Sequence, residues 1–370
     1  MNRFENLALP GVQSLRPYQP GKPIEELQRE YGVSEVVKLA SNENPLGPSA
    51  KVRARLTEEF ADLARYPDGN GFALKQLLAQ RHDVSMEQIT LGNGSSDPLE
   101  FVVRAFVPLG DEVLFSAHAF AMYPIVTQAA SAEAVVAPAR DWGHDLEAMA
   151  QRISERTRVI FIANPNNPTG TWLGADELEY FIASVPESVI VVVDEAYFDY
   201  AIDPALKAAD YPDTSQWLSR YPNLVVTRTF SKAYGLAGLR VGYSLSHPDI
   251  ANLLNRIRPP FNVNSMALAA AEVALADQDH VARGVALNAR EMSRVTQAVT
   301  DMGLNFIPSV GNFVCVEVGS DAAGVYDALL HEGVIVRPVA NYGMPNHLRV
   351  TLGLEKENDR FLEALAKVMK

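Results

Sequence analysis

Lys232 and Arg240 stand in the segment with the most evident chemistry, residues 228–240 (RTFSKAYGLAGLR). A lysine among small and hydroxyl side chains, with an arginine eight residues later, is suited to a Schiff base beside an anion-binding site. A buried lysine near another cation has a lowered pKa and becomes a usable amine nucleophile. Single lysines are also common on protein surfaces, so this segment alone does not decide between the two interpretations.

Two further segments place polar side chains directly after predicted buried strands. Asp194 and Tyr197 follow the apolar residues 189–193, and an acid at the end of such a strand is costly unless it has a partner. Together they suit a ring that carries a protonated nitrogen and an oxyanion. Residues 164–170 (NPNNPTG) contain two prolines and three asparagines, which predict a rigid loop that can aim one amide side chain at a ligand oxygen.

A phosphate site is the chemistry suggested by residues 91–97 (LGNGSSD), which lead into a predicted helix. Glycine lets the backbone approach a ligand, while Ser95, Ser96 and the helix N-terminus offer hydrogen-bond donors to a phosphate. Asp97 stands where a dinucleotide-binding segment would have its third glycine, so a dinucleotide fold is not favoured. A tight strand–helix turn with an Asp cap fits the same residues.

Short apolar runs that alternate with amphipathic helical patterns must position these four segments. Strands are predicted at residues 88–91, 112–115, 134–137, 159–163, 189–193, 224–227 and 241–245, and helices at residues 53–63, 72–81, 96–107 and 176–184. Strands that are apolar throughout predict a sheet covered on both faces, hence an α/β fold with a mostly parallel sheet. Ligands bind at the carboxyl ends of strands in such sheets, which is where the four segments fall.

Pro259 and Pro260 interrupt this alternation, and the residues beyond them predict a smaller α+β domain. Helices are predicted there at residues 265–302, 322–332 and 355–368, and strands at residues 312–318, 334–338 and 348–352. We therefore predict an N-terminal arm that belongs with the small domain (residues 1–40), a large domain (residues 41–260) and a small C-terminal domain (residues 261–370).

Composition and charge argue against several classes of protein. With 32 lysines and arginines against 45 acidic residues, the formal net charge is −13, which disfavours nucleic acid or an anionic membrane as a partner. No apolar run approaches the roughly 20 residues of a membrane span. The single cysteine, Cys315, lies in an apolar strand pattern and predicts a buried side chain rather than a nucleophile. The scattered histidines predict no metal site, and a cytoplasmic location is expected.

In order and spacing, the four segments resemble the aspartate aminotransferase superfamily, the fold-type I enzymes that use pyridoxal 5′-phosphate (PLP). The most specific parts are residues 164–170 (NPNNPTG), residues 194–197 (DEAY) and residues 231–240 (SKAYGLAGLR), and the resemblance covers nearly the whole chain. It implies a large domain with a mostly parallel seven-stranded sheet between helices, plus a smaller α+β domain. The implied activity is that of a PLP-dependent aminotransferase.

The resemblance also implies roles for residues at matching positions. Lys232 would form the internal aldimine with PLP and then move the proton during transamination, while Asp194 would pair with the protonated pyridine nitrogen. Asn167 and Tyr197 would hydrogen-bond the 3-oxygen of the ring and tune the pKa of the aldimine. Lys232, Asp194 and Tyr197 are thus the implied catalytic residues. The implied phosphate ligands are Gly94, Ser95, Ser96, Thr229, Ser231 and Arg240.

Two aromatic residues complete the implied cofactor site. Phe120 falls at the position that stacks on the ring, where many members of the superfamily have tyrosine or tryptophan. Tyr66 corresponds to a tyrosine that reaches the cofactor phosphate of the partner subunit. The resemblance therefore implies a homodimer with shared active sites.

Within the superfamily, three parts of the chain look like the histidinol-phosphate aminotransferase family: residues 15–21 (LRPYQPG), residues 38–48 (KLASNENPLGP) and the strand patterns around Arg337 and Arg349. That family transfers an amino group between glutamate and imidazole acetol phosphate, giving 2-oxoglutarate and histidinol phosphate in histidine biosynthesis. One site must then bind a phosphate in one half-reaction and a carboxylate in the other, which an arginine fork can do. The implied substrate residues are Tyr18, Asn44, Tyr123, Arg337 and Arg349.

Two other activities stay open at this point. Aromatic amino-acid aminotransferases share nearly all of these motifs, because phenyl and imidazole side chains fit similar pockets. A PLP-dependent phosphothreonine decarboxylase also resembles this subfamily. A PLP-binding regulator is disfavoured, because the chain has neither the extra length nor the basic segment of a DNA-binding module.

Overall fold

The structure of the protein is a computed structural model that describes residues 4–18, 20–206, 208 and 210–370. Residues 1–3 and Gln19 of the predicted N-terminal arm lie outside the described residues. The strands are β1 (Val37–Lys38), β2 (Ile89–Gly92), β3 (Glu112–Ser116), β4 (Glu133–Ala137), β5 (Ala139–Arg140), β6 (Gly143–His144), β7 (Thr157–Ala163), β8 (Ile190–Asp194), β9 (Leu224–Thr229), β10 (Gly242–Ser246), β11 (Asn305–Ile307), β12 (Phe313–Glu317), β13 (Val334–Ile335), β14 (Arg337–Pro338) and β15 (His347–Thr351). The α-helices are α1 (Pro10–Gln13), α2 (Ile24–Tyr31), α3 (Ala50–Glu59), α4 (Phe72–His82), α5 (Ser96–Phe106), α6 (Met122–Ala129), α7 (Leu146–Ala150), α8 (Ala175–Ser184), α9 (Phe198–Ala201), α10 (Pro248–Ile257), α11 (Ser265–Ala276), α12 (Gln278–Asp301), α13 (Ala322–His331) and α14 (Glu355–Val368).

A seven-stranded sheet in the order β2–β10–β9–β8–β7–β3–β4 is the centre of the larger part of the molecule. The strands from β9 to β4 pair in parallel, and β10 runs antiparallel to both of its neighbours. Alternate residues of β7 lie in two different apolar cores, Ile160 in one and Phe161 in the other. The sheet is therefore buried on both faces, and the predicted α/β fold with a mostly parallel seven-stranded sheet is confirmed.

Neighbouring strands of this sheet end level with one another on the side of the predicted site. Asp194, the last residue of β8, is the register partner of Ala163 on β7 and of Thr227 on β9. Gly242, the first residue of β10, pairs with Thr229 at the end of β9. The segments that follow β2, β7, β8 and β9 are thus brought to one edge of the sheet.

A second sheet of four antiparallel strands, in the order β11–β12–β15–β14, is formed by the C-terminal residues. Arg349 on β15 pairs with Cys315 on β12 and with Arg337 on β14. Near the N-terminus, β1 pairs in parallel with β13, and Leu39 packs into the apolar core shared by this sheet and helices α12, α13 and α14. The division of the chain at residues 1–40, 41–260 and 261–370 stays a prediction.

The prediction of one continuous helix over residues 265–302 is wrong, because the structure has two helices there, α11 and α12. Asp277 separates them with non-helical backbone angles, and its carboxylate accepts a hydrogen bond from Lys51 Nζ at 2.8 Å. The helical pattern of the sequence continues across Asp277, so this break is not visible in it.

The strand predicted over residues 334–338 is also interrupted. It is divided into β13 and β14, and these two strands belong to different sheets. The helix predicted from residue 53 begins earlier, at Ala50, because the Ser49 side chain accepts a hydrogen bond from the Val52 N–H and caps it.

Cys315 is completely buried on β12, where its thiol donates to the Pro168 carbonyl oxygen at 2.9 Å. Burial raises the pKa of this thiol to about 12. The predicted buried, unreactive side chain is therefore what the structure has.

Two findings on the described part of the chain bear on membranes and metals. None of its helices combines the length and the apolar character needed to cross a membrane. It also contains no group of three or more His, Cys, Asp or Glu side chains that could hold a metal ion.

Candidate active site

A cavity at the carboxyl ends of the central strands is lined by residues from all four segments that the sequence singles out. Helix α5 begins there after β2, the loop of residues 164–170 follows β7, and Asp194 ends β8. The lining residues are Ser95, Ser96, Phe120, Ala163, Pro165, Asn167, Asp194, Ala196, Tyr197, Thr229, Ser231, Lys232 and Arg240. The predicted cofactor contacts that are not among them are Gly94 and Tyr66.

Lys232 is partly buried in the cavity wall, and its Nζ donates a hydrogen bond to the Ser41 carbonyl oxygen at 3.2 Å. Burial lowers the pKa of this amine to about 7, and the charges of Arg349 and Arg240 act in the same direction. Nearby carboxylates oppose the shift. A substantial fraction of the amine is therefore unprotonated at neutral pH and can attack a carbonyl carbon.

Asp194 is held by two hydroxyl donors from opposite sides. Thr227 Oγ1 donates to Oδ1 at 2.8 Å, and Tyr123 Oη donates to Oδ2 at 3.1 Å. Burial raises the pKa of Asp194 to about 6, although these hydrogen bonds and the charge of Lys232 oppose the shift. At neutral pH the carboxylate is mostly ionised and needs a cation, such as a protonated ring nitrogen, to offset its burial.

Tyr197 and Asn167 present a phenol and an amide to the same cavity. Burial raises the pKa of Tyr197 to about 12, so the phenol keeps its proton and can donate it in a hydrogen bond. The Asn167 side-chain oxygen accepts a hydrogen bond from Arg349. That contact leaves the Asn167 NH₂ group as the donor available to a ligand.

A cradle of hydroxyl groups and one guanidinium also lines the cavity. Thr229 Oγ1 donates to Ser231 Oγ at 3.0 Å, and Arg240 Nη1 donates to the same oxygen at 3.0 Å. Ser95 and Ser96 stand at the N-terminus of α5, an 11-residue helix. Hydroxyls, a cation and a helix N-terminus together form a site suited to a phosphate.

Gly94 shapes this cradle without lining the cavity. Its φ is +66°, in the left-handed region that favours glycine. A Cβ on Gly94 would lie 2.5 Å from Arg240 Nη2, so a side chain there would displace the guanidinium. The glycine is therefore needed for the arginine to reach the cradle.

Arg349 belongs to β15 of the C-terminal sheet and contacts Asn167, which lines the first cavity. Its Nη2 donates to the Ala40 carbonyl oxygen at 2.8 Å, its Nη1 donates to Asn167, and its guanidinium lies 5.3 Å from the centre of the Phe313 ring. Its Nε is buried and has no hydrogen-bond partner. The guanidinium is thus held through both Nη atoms, and Nε is its one nitrogen without a partner.

Tyr18 and Arg337 line a second cavity, together with Arg16, His118 and Tyr342. The Arg337 guanidinium lies 5.7 Å from the centre of the Tyr18 ring. Residues 119–121 separate the two cavities, because Phe120 lines the first while Ala119 and Ala121 line the second. Two of the predicted substrate residues are therefore close to each other and next to the cofactor cavity.

The other three predicted substrate residues, Arg349, Tyr123 and Asn44, line neither cavity. Tyr123 is fully buried and stacked on Phe161 with ring centres 4.5 Å apart, and its hydroxyl is the one bonded to Asp194. The Asn44 amide donates to the Ala233 carbonyl oxygen at 2.8 Å and so holds the residue after Lys232. Both side chains thus contact residues that are predicted to hold the cofactor or lie next to one, and their contact with a substrate stays a prediction.

Tyr66 lies outside both cavities of this chain. Its side chain is 82% exposed and stacks on Phe261 with ring centres 4.6 Å apart. The predicted contact of Tyr66 involves a partner subunit and stays a prediction.

Residues 40–42 also form part of the site, which was not predicted from the sequence. The Ala40 and Ser41 carbonyl groups bind Arg349 and Lys232, and the Asn42 amide donates to Tyr197 Oη at 2.8 Å. Thr227 was missed as well, although it lies two residues before Thr229 on a strand and therefore on the same face of the sheet.

Comparisons with known proteins agree with this geometry. Residues 34–365 match the family model of aminotransferase class I and II. The chain is 60% identical over 368 residues to histidinol-phosphate aminotransferase 2 of Pseudomonas fluorescens, covering 99% of this chain and 98% of that protein. It is 56% identical over 367 residues to histidinol-phosphate aminotransferase 1 of Nitrosococcus oceani, again covering 99% and 98%. A crystal structure of histidinol-phosphate aminotransferase from Sinorhizobium meliloti in complex with pyridoxal-5′-phosphate has a TM-score of 0.89 and 32% identity, covering 100% of this chain and 98% of that one.

The chain therefore belongs to the class I and II aminotransferases and has the fold-type I architecture of PLP enzymes. Proteins of this class are transferases that move amino groups. Within the class, the chain belongs to the histidinol-phosphate aminotransferase family.

Proposed function

We propose that this aminotransferase moves an amino group between glutamate and imidazole acetol phosphate, giving 2-oxoglutarate and histidinol phosphate, with PLP as its cofactor. The observation that carries the proposal is the buried Arg349 guanidinium, which is hydrogen-bonded to Asn167, a residue that lines the cavity suited to PLP. An arginine fixed in this way can bind a carboxylate or a phosphate. The high identity to named histidinol-phosphate aminotransferases supports this choice over an aromatic aminotransferase or a decarboxylase.

The donor set of the cavity fits PLP group by group. Lys232 would bind the aldehyde carbon covalently, Asp194 the ring nitrogen, and Tyr197 and Asn167 the 3-oxygen. Phe120 would stack on the ring. The cradle at the start of α5 would bind the phosphate through Gly94, Ser95, Ser96, Thr229, Ser231 and Arg240. When bound, PLP supplies an electron sink for a carbanion.

Lys232 serves as both nucleophile and proton carrier in this proposal. Its pKa of about 7 lets it release and take up a proton near neutral pH. Asp194 keeps the ring nitrogen protonated, and Thr227 and Tyr123 hold its two oxygens in position. The lowered pKa of the lysine and the burial of the acid support these roles.

Arg349 would bind the anionic end of each substrate in turn, a carboxylate in one half-reaction and a phosphate in the other. Arg337 and Tyr18 would add contacts to the phosphorylated substrate, since the second cavity lies beside the first. A guanidinium suits both anions because its planar fork can make two parallel hydrogen bonds.

A homodimer with shared active sites is part of the proposal. Tyr66 is 82% exposed and stacks on Phe261, itself 44% exposed, so the two rings form an exposed aromatic area. A partner subunit would cover this area and bring Tyr66 to the neighbouring phosphate cradle. Light scattering at micromolar concentration tests this, and a fully active monomer would contradict it.

We also propose that the protein works in the cytoplasm and without a nucleic-acid or membrane partner. The net charge of −13 supports the absence of anionic partners. The single buried thiol needs no oxidising compartment.

The proposed substrate is tested by a paired assay of the purified enzyme with PLP and glutamate. We expect kcat/KM for imidazole acetol phosphate to exceed that for phenylpyruvate by about 10-fold or more, because the phosphate of the former would contact Arg337 as well as Arg349. Equal values, or a preference for phenylpyruvate, would make the enzyme an aromatic aminotransferase.

A further inference from the structure

Asn42 lies between the cofactor tyrosine and the C-terminal sheet, and it is 1% exposed. Its φ is +54°, in the left-handed region that asparagine tolerates better than most residues. Its Nδ2 donates to Tyr197 Oη at 2.8 Å, and its Oδ1 accepts from Thr351 Oγ1 at 3.1 Å. The amide therefore links Tyr197, which follows β8 of the central sheet, to Thr351 on β15 of the C-terminal sheet.

The Thr351 hydroxyl fixes which way the Asn42 amide faces. Thr351 Oγ1 accepts the backbone N–H of Asn42 at 2.9 Å, so its own proton is the one available to Asn42 Oδ1. The NH₂ group is then directed at Tyr197. Because Tyr197 Oη receives this hydrogen bond, its own proton is free to be donated into the cavity that Tyr197 lines.

We infer that Asn42 is a positioning residue that holds Tyr197 as a hydrogen-bond donor toward the 3-oxygen of the bound cofactor. The inference rests on the proposed function, since it concerns the contact of Tyr197 with PLP. Asn42 itself does not touch the reacting atoms. It acts through Tyr197, with Thr351 as the residue that orients it.

The direction of its effect follows from hydrogen bonding. Burial raises the pKa of the Tyr197 phenol most, the charge of Arg349 and then the amide of Asn42 lower it, and Asp194 and Tyr342 raise it to a smaller extent. A more acidic phenol is a stronger donor and stabilises negative charge on the oxygen that it faces. Without Asn42, Tyr197 is a weaker donor, and the cofactor holds its imine proton to a higher pH.

The same segment also contacts two other functional side chains through its backbone. The Ser41 carbonyl group accepts from Lys232 at 3.2 Å, and the Ala40 carbonyl group accepts from Arg349 at 2.8 Å. A variant at position 42 must therefore preserve the backbone. Glycine does so, because it adopts the left-handed conformation without strain.

The test compares the holoenzyme with Asn42→Gly, alone and in a Tyr197→Phe background. The readout is the pH midpoint of the visible absorption change of bound PLP, which needs no turnover. We expect Asn42→Gly to raise this midpoint by about 0.5 to 1 pH unit, the size of one lost hydrogen bond. In the Tyr197→Phe background the same change should move the midpoint by less than about 0.2 unit, since the residue through which Asn42 acts lacks its hydroxyl.

The dissociation constant of PLP gives a second measurement for the same four proteins, should a midpoint fall outside the stable pH range. Asn42→Gly should weaken binding about 3- to 10-fold when Tyr197 is present and much less when it is not. Thr351→Val, which removes the orienting hydroxyl, should shift both quantities in the same direction but less. Thr351→Ser is the matched control and should leave both near the wild-type value.

Two results would overturn the inference. One is an unchanged midpoint and PLP affinity in Asn42→Gly. The other is an equal change with and without the Tyr197 hydroxyl, which would indicate a general loss of structure. Failure of the proposed function is distinguishable, because it would appear in the wild-type protein as no visible band with PLP or no transfer from glutamate.

Discussion

The two sides of the active site are built differently. We call the residues proposed to hold PLP the cofactor side and those proposed to hold the substrate the substrate side. On the cofactor side, Asp194, Thr229 and Ser231 stand at the ends of buried, hydrogen-bonded strands or directly after them, and their polar atoms are already paired within the protein. On the substrate side, Tyr18 is 48% exposed and the Nε of Arg349 has no partner. The first side is preorganised by the central sheet, and the second is less completely paired within the protein.

This contrast separates the two tasks of the enzyme. Changes on the cofactor side should abolish chemistry, because they remove groups that act in every half-reaction. Changes on the substrate side should weaken binding while the cofactor stays in place. Variants on both sides can test this separation, in order of decreasing effect.

Lys232→Ala should reduce turnover by about 10⁴-fold or more, because no other amine lines the cavity among the described residues. Borohydride reduction of the holoenzyme followed by peptide mapping should place the cofactor label on Lys232. Lys367→Ala, at a surface ion pair with Glu332, is the matched control and should retain full activity. A label on any other lysine would contradict the assignment.

Asp194→Asn should lower kcat by at least about 10²- to 10³-fold, since the isosteric amide cannot neutralise a protonated ring nitrogen. PLP should still bind, because the phosphate cradle is intact. Single-turnover absorbance measurements with glutamate check the rate, and equilibrium dialysis checks the binding. Near-native turnover would show that Asp194 is not needed for the chemistry and does not belong to the cofactor side.

Arg349→Ala should lower kcat/KM about 10- to 100-fold for both glutamate and histidinol phosphate, the value of one charged hydrogen-bonding group. Arg349→Lys should recover only part of this loss, because an ammonium cannot make the bidentate contact. Both half-reactions can be followed by the absorbance change of the cofactor. Loss in one half-reaction alone would mean that the two anions are bound by different residues.

Removing the Asp194 carboxylate should also stabilise the apoenzyme. The pKa of Asp194 is about 6 in the folded chain against a usual 3.8, so the wild-type apoenzyme loses stability as the pH rises from about 4 to about 6. Asp194→Asn should therefore increase the free energy of unfolding at pH 8 by roughly 1 to 3 kcal/mol and have little effect below pH 4. Denaturant titrations at both pH values measure the difference, and a pH-independent change would mean that the buried charge of Asp194 is not its cause.

Arg337→Ala should have the smallest effect, about 3- to 10-fold in kcat/KM for histidinol phosphate and less for glutamate. The reason is that Arg337 lines the second cavity and is not among the residues that line the first. Steady-state kinetics with both substrates test this. An equal loss for both would place Arg337 with Arg349 as a general anion contact.

The same contrast explains how far the sequence was informative. The cofactor side is encoded by short contiguous segments, such as residues 164–170 and 228–240, whose glycines, prolines and polar residues point to a ligand directly. Asn42 and Tyr197 are separated by 155 positions, so their contact depends on packing that no local pattern contains.

The chemical inertness of Cys315 makes the protein convenient for site-directed labelling. Maleimide and spin-label reagents react with thiolates, and a buried thiol with a pKa of about 12 supplies almost none at neutral pH. A cysteine introduced by Tyr180→Cys, at an 80% exposed position of α8, would therefore be the one position that takes up the reagent, with the native residue left unchanged. Distances between two such labels would then report directly on the spacing of subunits in an assembled enzyme.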